Sequence, residues 1–128
     1  PIIAHPERYE YINGTPTAIN DFIEEGCLFQ INAGSMQGVF GKKVHNCAKL
    51  LVREGLVNFI ASDAHSINRR CPGLKEGFRE AEMLDREIEK KVSRNLELLL
   101  SDKAIEINME KIKKKKSIFQ ILRHQLST

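Results

Sequence analysis

Apolar positions along this chain follow two different periods. Short, nearly continuous apolar runs at residues 1–5 (PIIAH), 28–33 (LFQINA) and 56–61 (LVNFIA) predict buried strands. Between them the apolar residues recur at helical spacing. Thr15 as N-cap and Pro16 at the first helical position open a stripe through Ala18, Ile19, Phe22 and Ile23, which Gly26 closes. After the loop GSMQGVFG (residues 34–41), Val44, Cys47, Ala48, Leu51 and Val52 form the face of a second helix, ended by Gly55. Beyond Pro72 the pattern is helical. Leu74, Phe78, Ala81 and Leu84 mark one helix, and Leu96, Leu99 and Leu100 mark another after a cap at Ser93. A weaker stripe over residues 109–126 runs through Ile112, Phe119 and Leu122.

Strands alternating with helices predict an α/β fold of parallel βαβ units, whose crossovers bring the strand C-termini to one end. Three such strands make half a β/α barrel. The expected organisation is a half-barrel over residues 1–92 and a C-terminal helical extension with a basic run over residues 93–128. The chain opens directly on an apolar run with neither Met nor a polar lead-in, so it reads as cut from something longer.

Composition narrows the class. With 41% hydrophobic and 29% charged residues in 128, the chain suits one globular domain with a modest core. No apolar run is long enough to span a bilayer. Against 17 acidic residues, 20 basic ones leave a net charge of +3, too little to argue for a nucleic-acid partner. The excess sits in Lys111, Lys113, Lys114, Lys115 and Lys116. A solvated helix face explains such a run; a peripheral contact with anionic lipid or an acidic partner is the functional alternative. Cys27, Cys47 and Cys71 form no C-x-x-C pair, which favours a reduced, cytoplasmic protein over a disulfide framework or a structural zinc site.

The informative polar residues stand at the strand ends. The first strand ends in His5, with Pro6, Glu7 and Arg8 following; the third ends in Ser62, Asp63, Ala64, His65 and Ser66. Residues two apart on an extended chain point the same way, so Asp63 and His65 present a carboxylate and an imidazole together, and His5 joins them from another strand. That donor set suits a divalent metal such as Mn, Fe or Zn. In α/β barrels the C-terminal strand ends carry the active site. Singly, each residue has a plainer role: a surface histidine, or an aspartate capping the next segment. Arg8 and Arg70 lie just beyond the same strands, and guanidinium forks bind phosphate oxygens in a bidentate manner. Gly34, Gly38 and Gly41 allow the middle loop to approach a ligand, although glycines also serve as turn residues.

His45, Cys47 and Arg53 spell H-x-C-x5-R, close to the signature of cysteine-dependent phosphatases. That chemistry needs a glycine-rich loop around the phosphate. Ala48, Lys49, Leu50, Leu51 and Val52 instead make an amphipathic helix. Cys47 is expected in the core, with a raised pKa.

The strings IIAHPERY, FQINAGSMQGVFG and FIASDAHS resemble the PHP-domain protein-tyrosine phosphatases of bacterial capsule and exopolysaccharide operons. The likeness runs from Pro1 to about Leu74 and continues more loosely through VSRNLELLLSD. The resemblance implies the C-terminal half of a distorted PHP-type β/α barrel that holds several metal ions, usually manganese. His5, Asp63 and His65 match metal-ligand positions, and Arg8 and Arg70 match arginines that hold the substrate phosphate. The implied reaction is metal-assisted hydrolysis of phosphotyrosine without a covalent enzyme intermediate. The implied partner is a membrane-associated bacterial tyrosine kinase with a phosphorylated tail. The family's opening H-x-H motif and other first-half ligands are not in this sequence. A missing N-terminal half or self-association is therefore expected to complete the site. Two alternatives stay open: a PHP phosphatase for a small substrate such as histidinol phosphate, and a non-catalytic half-barrel that binds phosphopeptides.

Overall fold

In the computed structural model, which describes residues 1–67 and 73–114, a three-stranded parallel sheet is flanked by helices. The strands are β1 (Ile2–Ala4), β2 (Leu28–Asn32) and β3 (Phe59–Ala61), in spatial order β1-β2-β3. Ile3 pairs with Phe29, and Ile31 with Ile60, so all strand C-termini meet at one end as the alternation predicts. Central β2 is buried along most of its length, which explains its nearly unbroken apolar sequence.

The connection from β1 to β2 is more broken than the single helix expected. A 3-10 turn at Pro6–Arg8 leads into α1 (Glu10–Gly14), and a second at Pro16–Ile19 leads into α2 (Asn20–Glu24). Thr15 makes no side-chain cap, and Pro16 opens the 3-10 turn. Gly26 takes the left-handed conformation (φ 70°) that ends the helical segment, as expected.

Between β2 and β3, part of the expected glycine loop is helical. One turn, α3 (Ala33–Met36), buries Ala33, Ser35 and Met36. Helix α4 (Lys42–Arg53) turns Cys47, Ala48, Leu51 and Val52 inward, the face that its sequence predicts. Strand β3 is shorter than the apolar run because Asn58 substitutes for ladder pairing. Its Oδ1 accepts the Phe29 N–H at 2.8 Å, while its own N–H donates to the Phe29 carbonyl at 2.9 Å.

Helix α5 (Leu74–Glu82) packs closely on α3 through Gly77 and Ala33. Helix α6 (Ile88–Leu100) corrects the expectation for this region. It starts at Ile88 rather than Ser93, so the boundary at residues 92/93 falls inside it. Its buried face is Ile88, Val92 and Asn95, while Leu96, Leu99 and Leu100 are exposed. The register is set by Asn95, whose Nδ2 donates to the Asn58 carbonyl at 3.1 Å, and by Lys91, whose Nζ donates to the Gly55 carbonyl at 2.8 Å.

Residues 103–114 form no helix, contrary to the expected helical extension. They run back across the molecule as a strap. Ile112 enters the core, and Asn20 binds both its N–H (2.8 Å) and its carbonyl (3.0 Å). Lys111 pairs with Glu24. The rest of the 109–126 stripe, with Lys115 and Lys116, lies outside the described residues. No helix among the described residues is long and apolar enough to cross a membrane.

Candidate functional site

The site lies at the C-terminal end of the sheet. His5 and Asp63, the residues that leave β1 and β3, both have left-handed backbones, with φ 39° and 49°. Short polar side chains tolerate that region best, but it remains costly for any residue with a Cβ. The bend at His5 starts the 3-10 turn, in which the Arg8 N–H donates to the His5 carbonyl at 3.0 Å. The turn carries Arg8 toward the end of β3, where its Nη1 lies 3.7 Å from Asp63 Oδ2. Two candidates from different strands are thereby joined.

Asp63 and His65 are also brought together. The His65 Nδ1 lies 3.7 Å from Asp63 Oδ1 and 2.6 Å from the Asp63 carbonyl oxygen. A carbonyl only accepts, so Nδ1 carries the proton, and the Nε2 of the neutral ring keeps the lone pair a metal needs. The His5 ring packs edge-on against Tyr9 with centroids 5.9 Å apart, and its Nδ1 is buried without a hydrogen-bond partner. An orphaned ring nitrogen is costly unless something occupies it. Among the described residues, however, no group of three or more His, Cys, Asp or Glu side chains could hold one ion. Arg70 and Cys71 lie outside the described residues.

Beneath these residues is a polar layer that sequence reasoning missed. Glu7 is fully buried. Its Oε1 accepts hydrogen bonds from the Asn32 N–H (2.9 Å) and the Ser35 hydroxyl (2.6 Å), and Oε2 has no hydrogen-bond partner. Burial pushes its carboxyl above the usual range, against the pull of these hydrogen bonds. Asn32, also fully buried, extends its Nδ2 to Asp63 Oδ2 at 3.2 Å. A chain of contacts thus runs from Glu7 through Asn32 to Asp63. The only sequence signal for it was polar residues inside apolar runs: Glu7 next to His5, and Asn32 closing β2.

Cys47 is buried in α4, and burial, with the Glu7 carboxylate adding to it, pushes its thiol up to about 12. That is the reverse of what a nucleophilic cysteine requires.

The model of the capsular polysaccharide synthesis family, CpsB/CapC, matches residues 1–107. The chain belongs to the CpsB/CapC family. It is 36% identical over 106 residues to the tyrosine-protein phosphatase YwqE of Bacillus subtilis, covering 82% of this chain and 42% of YwqE. It is 40% identical over 83 residues to a putative tyrosine-protein phosphatase CapC of Staphylococcus aureus, covering 65% of this chain and 32% of that relative. A solved chain from the crystal structures of YwqE and of CpsB from Streptococcus pneumoniae, described as metal-dependent tyrosine phosphatases, superposes with a TM-score of 0.81 at 34% identity. That match covers 89% of this chain and 47% of the other. This CpsB/CapC chain therefore spans less than half the length of these relatives.

Proposed function

We propose that this chain is the part of a metal-dependent protein-tyrosine phosphatase that grips the phosphate and supplies some of the metal donors. The observation that carries the reading is the superposition, at a TM-score of 0.81 over 89% of the chain, on a metal-dependent tyrosine phosphatase. The sheet would then be one section of a PHP-type β/α barrel. His5, Asp63 and His65 fit a divalent ion in kind, as imidazole and carboxylate donors, and the orphaned His5 Nδ1 favours an occupant there. Donors beyond these three would complete the set.

A bound divalent ion, manganese by expectation with iron or zinc as alternatives, would supply Lewis-acid neutralisation of the phosphoryl charge. Arg8 binds phosphoryl oxygens through its guanidinium fork, and Arg70 joins it from the loop after β3. Its ion pair with Asp63 is longer than a hydrogen bond, which leaves the fork's donors for an anion. Asn32 holds the Asp63 carboxylate in place, and Glu7 holds Asn32. The substrate would be phosphotyrosine on a protein, with the tail of a membrane-associated bacterial tyrosine kinase as the expected partner, in the cytoplasm.

The test is phosphate release from a phosphotyrosine peptide by the intact protein, with and without Mn²⁺, beside Asp63→Ala. Losing a direct donor should cost more than the roughly 10- to 100-fold typical of outer-shell partners. Faster turnover of histidinol phosphate than of the peptide would overturn the substrate assignment. Peptide binding that survives EDTA, without phosphate release, would replace the enzyme by a binding module.

A further inference from the structure

The loop between α3 and α4 carries no acid, base or nucleophile, yet it packs where Arg8 emerges. Phe40 sets its ring against the guanidinium, with Cζ 4.2 Å from the ring centroid. The ring is itself held. It lies so close to Gly34 that a Cβ there would stand 3.1 Å from Phe40 Cε2. The Val39 N–H donates to the Gly34 carbonyl at 3.0 Å, and the Gly41 N–H to the Gly38 carbonyl at 3.1 Å. Gly38 and Gly41 supply the positive φ angles, 77° and 93°, that return the chain to this position. On the other side of Arg8 stands Asp63, 3.7 Å away.

These two neighbours have opposite consequences for a phosphate-binding arginine. An exposed guanidinium beside a carboxylate tends to close into a hydrogen-bonded fork, which would use the donors an anion needs. An aromatic face attracts the same group without using any N–H, because the attraction is to the π-cloud. We propose that Phe40 is the positioning residue of Arg8. Its ring holds the guanidinium by its face and keeps it from collapsing onto Asp63, so that the N–H fork remains free for phosphoryl oxygens. The inference rests on Arg8 being a phosphate ligand.

The probe is inorganic phosphate, titrated calorimetrically into the intact protein and into Phe40→Leu, Phe40→Met and Phe40→Tyr, each with and without Arg8→Ala. Leu and Met remove the π face, Met preserving side-chain length in case Leu does not fold; Tyr retains it. The expected result is about 2- to 30-fold weaker phosphate binding for Leu and Met, the range of a cation–π contact, with Tyr close to wild type. In the Arg8→Ala background the same substitutions should have no further effect, because the ring acts through the arginine. Equal losses in both backgrounds, or wild-type affinity in Leu and Met, would overturn the inference. If Arg8→Ala alone leaves phosphate affinity unchanged, the inference falls together with the phosphate-ligand role. If the coupling holds but phosphotyrosine is not hydrolysed, the assigned activity fails and this inference stands.

Discussion

His5 and Asp63 keep left-handed backbones at a cost of about 1–3 kcal/mol each, and they are the residues by which β1 and β3 enter the site. Their side chains were legible because strand ends are where α/β folds place chemistry. Glu7 was not: nothing in HPER says that a 3-10 turn will roll the glutamate under the sheet while presenting Arg8 above it. The same layer governs Cys47, whose thiol faces burial and the Glu7 carboxylate. An unfolded thiol loses its proton above about pH 9, whereas the native one keeps it until about 12. The unfolded state therefore binds fewer protons between these values, and stability falls as pH rises through that window. Urea unfolding from pH 8 to 10.5 should show a steeper decline for wild type than for Cys47→Ala, whatever constant offset the lost sulfur adds. Parallel profiles would mean that the thiol is not shielded.

At the scale of elements, contact between α3 and α5 fixes the loop that follows β2. A Cβ on Gly77 would lie 2.5 Å from the Ala33 Cβ and 2.7 Å from its Cα, closer than real atoms come. Elsewhere in a helix, replacing glycine by alanine gains about 1 kcal/mol. Here Gly77→Ala is expected to lose about 1–3 kcal/mol by overpacking, and Ala33→Gly should restore much of it. Chemical denaturation of the single and double variants reads both signs. The apolar stripes identified α4 correctly but misjudged α6. Leu96, Leu99 and Leu100 have the better apolar spacing, yet Asn95 faces inward because a buried carbonyl on Asn58 needs its amide. Periodicity registers hydrophobic burial and cannot see a polar contact made to a residue 37 positions away.

Across the whole molecule, residues 103–114 close the helical face that precedes β2. Ile112 inserts into the core, and the Asn20 side chain takes both hydrogen bonds of its backbone, as a neighbouring strand would. This anchor lies beyond residue 107, where the CpsB/CapC match ends. Asn20→Ala leaves that backbone unpaired, at a cost of about 1–3 kcal/mol. Trypsin should then cut after Lys103 and Lys111 sooner in the variant than in wild type, while near-UV circular dichroism of the sheet core is retained. Unchanged cleavage rates would mean that Ile112 alone secures the strap.

By itself, the sequence determined the parallel strand order of the fold, the inward face of α4 and the convergence of Arg8, Asp63 and His65 on one sheet end. Each follows from local regularities: strand and helix periods, and the alternation that brings parallel strand ends together. Only the tertiary structure decided the buried Glu7–Asn32–Asp63 chain, the Phe40 ring against Arg8, the outward turn of the α6 leucines and the non-helical strap. These depend on which polar groups meet across long separations in the chain, where satisfying a buried donor or acceptor outweighs local preference.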